Sequence, residues 1–571
     1  MKPVCRLVRR NKAFCFSSHT TKPVDCCSTP ALLQNPKRGP VRARTFFTTT
    51  RLKSSLLRTS PMPKFSNALE LVQSLAQPPP EEVLESRNPR SGEVLQSFAE
   101  MTDGEVDQVL TELAKPFATS ALPSNKAKSW SSFETLPLRC KLAEQVGQIL
   151  LEEQTALATL IHNEMGKAMP EAEAEVRKSA GLCLYYANNA EAFLQPVITA
   201  DAASDIKPTI PGVKKSYYVY EPLGVILSVM PWNFPVWQVI RMAIPVLVGG
   251  NTVVLKHAPN VLGSALKCEE IFAKAAERVF GEEGRQVPCI FRALRVQAAK
   301  TTDILSHPVV RGVSLTGSER AGRSVAMQAG ALLKKCVVEL GGNDGYVLLK
   351  DADIDCAVDQ IVAGRLVNNG QSCIGPKRII CEGETVKKQV EEKLVQKLSE
   401  VSTTARVMVH SKAKEGVALQ VKEAVEKHGA NCIYPVGGVV DSTTSTEGVG
   451  ISASFADPIV LTNVPAHFDT EIFGPVFSIL TAAESEQQAI QMHNQTSFGL
   501  GGAVFSKNEK HAEALAGEAL STGMCWVNAF VKSDASLPFG GVRNSGLGRE
   551  CGPHGVLEFQ NIKTICIADH V

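Results

Sequence analysis

The run Gly224-Val225-Ile226-Leu227-Ser228-Val229-Met230-Pro231-Trp232-Asn233-Phe234-Pro235 decides the fold, because a short, mostly apolar stretch stops abruptly at a proline-flanked turn. Similar short runs recur at Thr252 to Leu255, Val313 to Leu315 and Val337 to Leu340, each followed by turn residues or a helical pattern. Strands that alternate with helices predict an α/β fold with a parallel sheet. Upstream, Phe133 to Leu194 reads as successive amphipathic helices, with Leu142, Val146, Ile149 and Leu150 at helical spacing. Lys214 to Tyr220, with two lysines and three tyrosines, suits an exposed strand. Downstream, a second α/β pattern predicts helices over Ala357 to Asn368 and Lys387 to Leu398, and Asp441 to Thr446 reads as a surface loop.

With 571 residues the chain exceeds one hydrophobic core, so two or three domains are expected. A formal net charge of +2 argues against nucleic-acid binding, and no apolar run is long enough for a membrane helix. Residues 1 to 60 depart from this balance: thirteen Lys or Arg stand against one acid, Asp25, among many Ser and Thr. That composition predicts a mitochondrial transit peptide over 1–62 and a matrix protein, with initiation at Met62 giving a cytoplasmic alternative. Sixteen cysteines without paired spacing suggest reduced thiols. No Cys-x-x-Cys, His-Glu-x-x-His or clustered His and Asp set supports a metal.

Three segments carry chemistry. Asn368-Asn369-Gly370-Gln371-Ser372-Cys373 ends in a candidate nucleophile, since a thiol of lowered pKa attacks carbonyls near neutral pH. Gly370 allows a tight loop with the Cys373 amide exposed, and that amide with the Asn233 side chain forms a candidate oxyanion hole. Glu339, at a strand end before Gly341 and Gly342, is a candidate general base for hydrolysing a thioester. No strand-linked Gly-x-Gly-x-x-Gly is present; instead Gly317 and Ser318 follow a strand and open a helical pattern, a place where amides welcome phosphate.

Together Pro231-Trp232-Asn233-Phe234-Pro235, Glu339-Leu340-Gly341-Gly342, the Cys373 segment, Phe539-Gly540-Gly541 and Ser545-Gly546-Leu547-Gly548-Arg549-Glu550 resemble the aldehyde dehydrogenase family. The resemblance runs from about Asn88 to the C-terminus. It implies a Rossmann-type cofactor domain (79–203 and 223–338), a catalytic domain (339–548) and an oligomerisation arm (204–222 and 549–571) that joins a homo-oligomer. It implies oxidation of a small-molecule aldehyde through a thiohemiacetal on Cys373, with NAD or NADP as cofactor. Trp232, Lys256, Gly317, Ser318, Glu471 and Phe473 match cofactor-binding positions of the family. Pro259 stands where NAD-preferring members carry a glutamate, so both cofactors are expected, with Lys256 and His257 offering charge to a 2′-phosphate. Trp237 to Arg241 and Lys256 to Asn260 look most like succinate-semialdehyde dehydrogenases. There, Arg241 and Ser533 match substrate-binding positions suited to a distal carboxylate, while a second arginine of some relatives falls at Val367. A dehydrogenase for another aldehyde, or a silent ligand-binding relative, stands as the alternative. Gly375 stands where some relatives place a second cysteine, so no redox switch by a neighbouring disulfide is expected.

Overall fold

A computed structural model describes residues 84–117, 129–281, 288–400, 406–435 and 455–568. The basic segment 1–62 and the loop expected at 441–446 lie outside them. The body is built on two sheets.

The first sheet runs, in spatial order, Gly546–Leu547, Lys335–Glu339, Val310–Thr316, Val225–Met230, Thr252–His257 and Phe291–Leu294. All neighbours are parallel except the edge strand Gly546–Leu547, which is antiparallel to Lys335–Glu339. Numbered along the chain, the five parallel strands lie 3-2-1-4-5, the Rossmann arrangement, with its switch point between Val225–Met230 and Val310–Thr316. Both strands are buried along nearly their whole length, as expected of a parallel sheet covered on both faces. The strand Phe291–Leu294 was not legible in the sequence, because its Arg292 breaks the apolar run.

The second sheet has seven strands and is parallel apart from the edge strand Asn431–Tyr434. Its strand Gly345–Leu348 pairs with Arg378–Cys381 on one side and Gly501–Phe505 on the other. Helix Ile354–Leu366 leads from this sheet to the Cys373 loop, and helix Glu384–Glu400 follows it.

The predicted helical block resolves into Leu136–Glu152, Gln154–Met165 and Met169–Leu194. The last carries Pro170 in its first turn, where a fixed φ and a missing N–H are suited, and buries Ala172, Val176, Ala180 and Cys183 on one face. No helix among the described residues is long and apolar enough to cross a membrane.

A third, antiparallel sheet joins Gln560–Ala568, Val213–Pro222 and Val197–Asp201. The arm sheet therefore begins at Val197, earlier than residue 204, because Val197–Asp201 pairs with Val213–Pro222. At the other end, Glu550 is not part of the arm: it is buried and exchanges backbone hydrogen bonds with Phe539.

Candidate active site

The Cys373 loop is shaped by three successive residues at positive φ, Asn368 (51°), Asn369 (56°) and Gly370 (79°). Asparagine tolerates this region through local hydrogen bonds, and glycine needs no such help. At Gly370 only glycine fits, since a Cβ would stand 2.4 Å from the carbonyl carbon of Gly474. The turn is held by the Asn368 Nδ2, which donates to the carbonyls of Asn233 (2.7 Å) and Gln371 (3.2 Å). Gln371 in turn accepts the Val409 amide (2.9 Å). Cys373 thereby comes to line a cavity of about 310 Å³ with Phe234, Trp237, Arg241, Val367 and Phe530.

Burial pushes the Cys373 thiol up to about 11, while Lys377 and Arg241 pull the other way. The lowered pKa expected of a nucleophile is thus not a property of this loop by itself, because the thiol lies among apolar walls. Lys377 is the nearer cation: its Nζ donates to the Cys373 carbonyl (2.5 Å) and pairs with Glu471 (3.0 Å).

Asn233 is buried and doubly held. Its Nδ2 donates to the Gln371 carbonyl (3.1 Å), and its Oδ1 accepts from Gln238 Nε2 (3.0 Å). Behind it, Lys167 donates to the Asn233 carbonyl (3.1 Å) and forms a buried ion pair with Glu175. The other oxygen of Glu175 accepts the amides of Val236 and Trp237, both at 2.9 Å, so a carboxylate caps the helix Trp237–Val248 at its positive end. Neither Lys167 nor Glu175 was singled out in the sequence. Their role is to hold the turn that carries Asn233.

Glu339 ends its strand as expected, but its side chain turns beneath the glycine turn at Gly540 and does not line the Cys373 cavity. A Cβ at Gly540 would stand 2.5 Å from Glu339 Oε1. The carboxyl is buried with no hydrogen-bond partner for either oxygen among the described residues, and burial, then the nearby Glu550, raises its pKa well above 4.5.

Arg241 lies one helical turn from Trp237 and reaches the same cavity. Its Nε stands 2.5 Å from Glu550, both side chains are buried, and the guanidinium covers the Phe539 ring at 4.3 Å. The arginine expected to face a substrate carboxylate is thus ion-paired within the protein. Its charge is already answered. Ser533 also lines the cavity and accepts a hydrogen bond from Lys178 Nζ (2.5 Å). Lys178 was missed, although Glu171, Glu175 and Lys178 stand at i, i+4 and i+7 and so share one helix face.

The cofactor positions gather around the switch point. Gly317 follows Val310–Thr316 and donates its amide to the Glu339 carbonyl (3.0 Å), and Ser318 caps the helix Glu319–Ala331. Lys256 is buried near the end of Thr252–His257, which flanks Val225–Met230 on its other side, and Pro259 opens the short turn Pro259–Val261. Trp232 and Phe473 meet edge to face with ring centroids 6.0 Å apart. Glu471 accepts the Gly342 amide (3.1 Å), and a Cβ at Gly341 would fall 2.0 Å from Glu471 Oε2. These residues fit a dinucleotide: a helix N-terminus for pyrophosphate, a strand-end lysine, and a carboxylate with two aromatics beyond. His257 is the exception. Its Nε2 bonds the Pro235 carbonyl (2.9 Å), its Nδ1 accepts the Ala258 amide (2.8 Å), and burial lowers its pKa to about 4. It is neutral at physiological pH and offers no charge to a phosphate.

A Rossmann-ordered sheet meets a second α/β sheet here, and Gly342, just past the strand Lys335–Glu339, packs against the Cys373 carbonyl. That juxtaposition defines a dinucleotide-type α/β protein with a cysteine in its central cavity. Residues 76–565 match the profile of the aldehyde dehydrogenase family. The chain is 35% identical over 499 residues to a succinate-semialdehyde dehydrogenase [NADP(+)] of Deinococcus radiodurans, covering 85% of this chain and 95% of that one. A protein of Mycobacterium tuberculosis, succinate-semialdehyde dehydrogenase [NADP(+)] 1, is 35% identical over 492 residues, covering 84% and 99%. The crystal structure of succinic semialdehyde dehydrogenase from Streptococcus pyogenes in complex with NADP+ superposes with a TM-score of 0.74 at 32% identity, covering 85% of this chain and 100% of that one. The chain belongs to the aldehyde dehydrogenase family and is an NAD(P)-dependent oxidoreductase acting on aldehydes.

Proposed function

We propose that this protein oxidises succinate semialdehyde to succinate. The observation that carries the reading is that Cys373, Arg241 and Ser533 line one cavity whose other walls include Phe234, Trp237 and Phe530. Such a pocket suits a short aliphatic chain with a polar far end, and the relatives' names support that substrate.

In this reading the Cys373 thiolate adds to the aldehyde carbon, and the resulting alkoxide is held by the Cys373 amide and the Asn233 side chain. To donate there, the Asn233 amide must share or release its bond to the Gln371 carbonyl. A nicotinamide dinucleotide, when bound, supplies the hydride acceptor. Glu339, as the carboxylate, then takes a proton from the water that hydrolyses the Cys373 thioester; the burial that raises its pKa favours the protonated form only while the side chain stays beneath Gly540. Its carboxyl has to swing out from under Gly540 to do so, and no hydrogen bond from the described residues holds either oxygen in place.

Steady-state rates with a panel of aldehydes test the substrate. kcat/KM for succinate semialdehyde is expected to exceed that for butanal by at least about tenfold, the scale of one charge-assisted hydrogen bond. Equal values would reject the semialdehyde.

Both NADP and NAD are expected to serve as cofactor. Lys256 lies near a bound 2′-phosphate in this reading, and Pro259 brings no carboxylate to repel it. Pro259→Glu should shift the ratio of catalytic efficiencies at least about tenfold toward NAD. An unchanged ratio would remove Pro259 from cofactor choice.

The arm sheet is read as the subunit-joining element of a homo-oligomer, since Ile198, Ile562 and Ile567 stand exposed on it. The cofactor and catalytic domains are taken as 79–203 with 223–338, and 339–548. The composition of residues 1 to 60 supports import into the mitochondrial matrix, with a cytoplasmic form if translation starts at Met62; the curated relatives are bacterial.

A further inference from the structure

We propose that Lys178 is the cation that binds the distal carboxylate of the substrate. The inference rests on the semialdehyde reading and names the group that would give it specificity. Arg241 is poorly placed to do so alone. Its charge is neutralised by Glu550 inside the protein, Glu550 also accepts from Ser314 (3.3 Å), and the guanidinium is clamped over Phe539. A second carboxylate arriving there would compete with a partner already in place.

Lys178 is in the opposite condition. Its ammonium lies over the Trp237 ring at 4.3 Å and donates to the Ser533 hydroxyl, both cavity-lining residues. No carboxylate of the described residues lies within 4.0 Å of it. A hydroxyl and an indole face orient an ammonium without neutralising it, so an anion between Lys178 and Ser533 would find a cation and an O–H donor side by side. The two come from distant parts of the chain, the helix Met169–Leu194 and the loop before Phe539, and the fold brings them into hydrogen-bond contact at the cavity.

The charged surroundings do not supply the missing partner. On its own helix Glu175 is paired with Lys167, and Glu171 accepts the Asn368 amide (3.3 Å). Across from it stand Arg241, Lys532 and Asp534, of which Asp534 bonds Ser536 and Lys532 covers the Phe530 ring. The Cys551 thiol is buried and pushed up to about 12, hence neutral. Lys178 keeps an exposed side chain, and the protein packed around it, then Arg241, lower it to about 8, while Cys551, Glu175 and Asp534 act the other way. The ammonium is charged below that value and is lost as pH rises through it.

Lys178→Met and Lys178→Arg in the full-length enzyme, assayed with succinate semialdehyde and butanal, test the assignment. Lys178→Met is expected to raise KM for the semialdehyde at least about tenfold and to leave KM for butanal within about twofold. Succinate, as an inhibitor against butanal, should weaken by a similar factor. Lys178→Arg should keep the preference. It should also remove the loss of wild-type preference above about pH 8, because arginine stays charged there. A wild-type preference that survives in Lys178→Met, with succinate inhibition intact, overturns the assignment of Lys178 alone. Absence of any preference in the wild type overturns the semialdehyde reading and the proposal with it.

Discussion

Cys373→Ala is expected to abolish aldehyde oxidation, lowering turnover at least about a thousandfold, while nicotinamide binding stays within about twofold. The separation follows from where the parts sit. The sulfur lines the substrate cavity and forms none of the hydrogen bonds that shape its loop; those run through Asn368, Gln371 and backbone groups. The turn at Gly317 and Ser318, proposed to hold the phosphates, belongs to the other sheet and keeps its own bonds. Absorbance of reduced nicotinamide measures turnover, and calorimetry measures binding. Oxidation by the alanine variant at near-normal rate would remove Cys373 from the mechanism, and loss of cofactor binding would make it a structural residue.

Glu339→Gln should give a burst of reduced cofactor close to one per active site, then a steady rate at least about a hundredfold below wild type. Acylation and hydride departure precede the step that needs the base, so they survive the change. Normal steady turnover would exclude Glu339 as the base. The same variant reports on stability. A carboxyl whose pKa is raised in the folded state contributes stability below its unfolded value, near 4.5, and loses that contribution as pH rises through the folded value. Glutamine does not titrate and relieves repulsion from Glu550. Its melting temperature relative to wild type should therefore rise as pH increases from about 4.5 toward the folded value and level off above it, and a difference that stays flat or shrinks would show that the carboxyl is not held protonated by its surroundings.

Much of the fold was legible because its signals are local. The apolar runs at Val225 and Val313 and the turns that end them are read within a few residues, and both became strands of the Rossmann-ordered sheet. The helix before Cys373 and the cap at Ser318 were legible for the same reason. Phe291–Leu294 escaped because a single arginine interrupts a four-residue strand, leaving too short a pattern to read. The arm sheet extended to Val197 because strand pairing, not composition, decides where a sheet begins.

The sequence by itself determined the order of strands and helices, the cysteine at the end of a glycine-bearing loop, and the acid at a strand end, since these follow from periodicity and turn chemistry. The state of each charge was decided only by the tertiary structure. Arg241 is answered by Glu550, Glu175 by Lys167, and His257 is neutral within a backbone cage, whereas Lys178 meets a hydroxyl and an indole ring and no carboxylate among the described residues. None of these pairings has a sequence signature, because partners distant along the chain interact according to their separation in space and the water excluded between them.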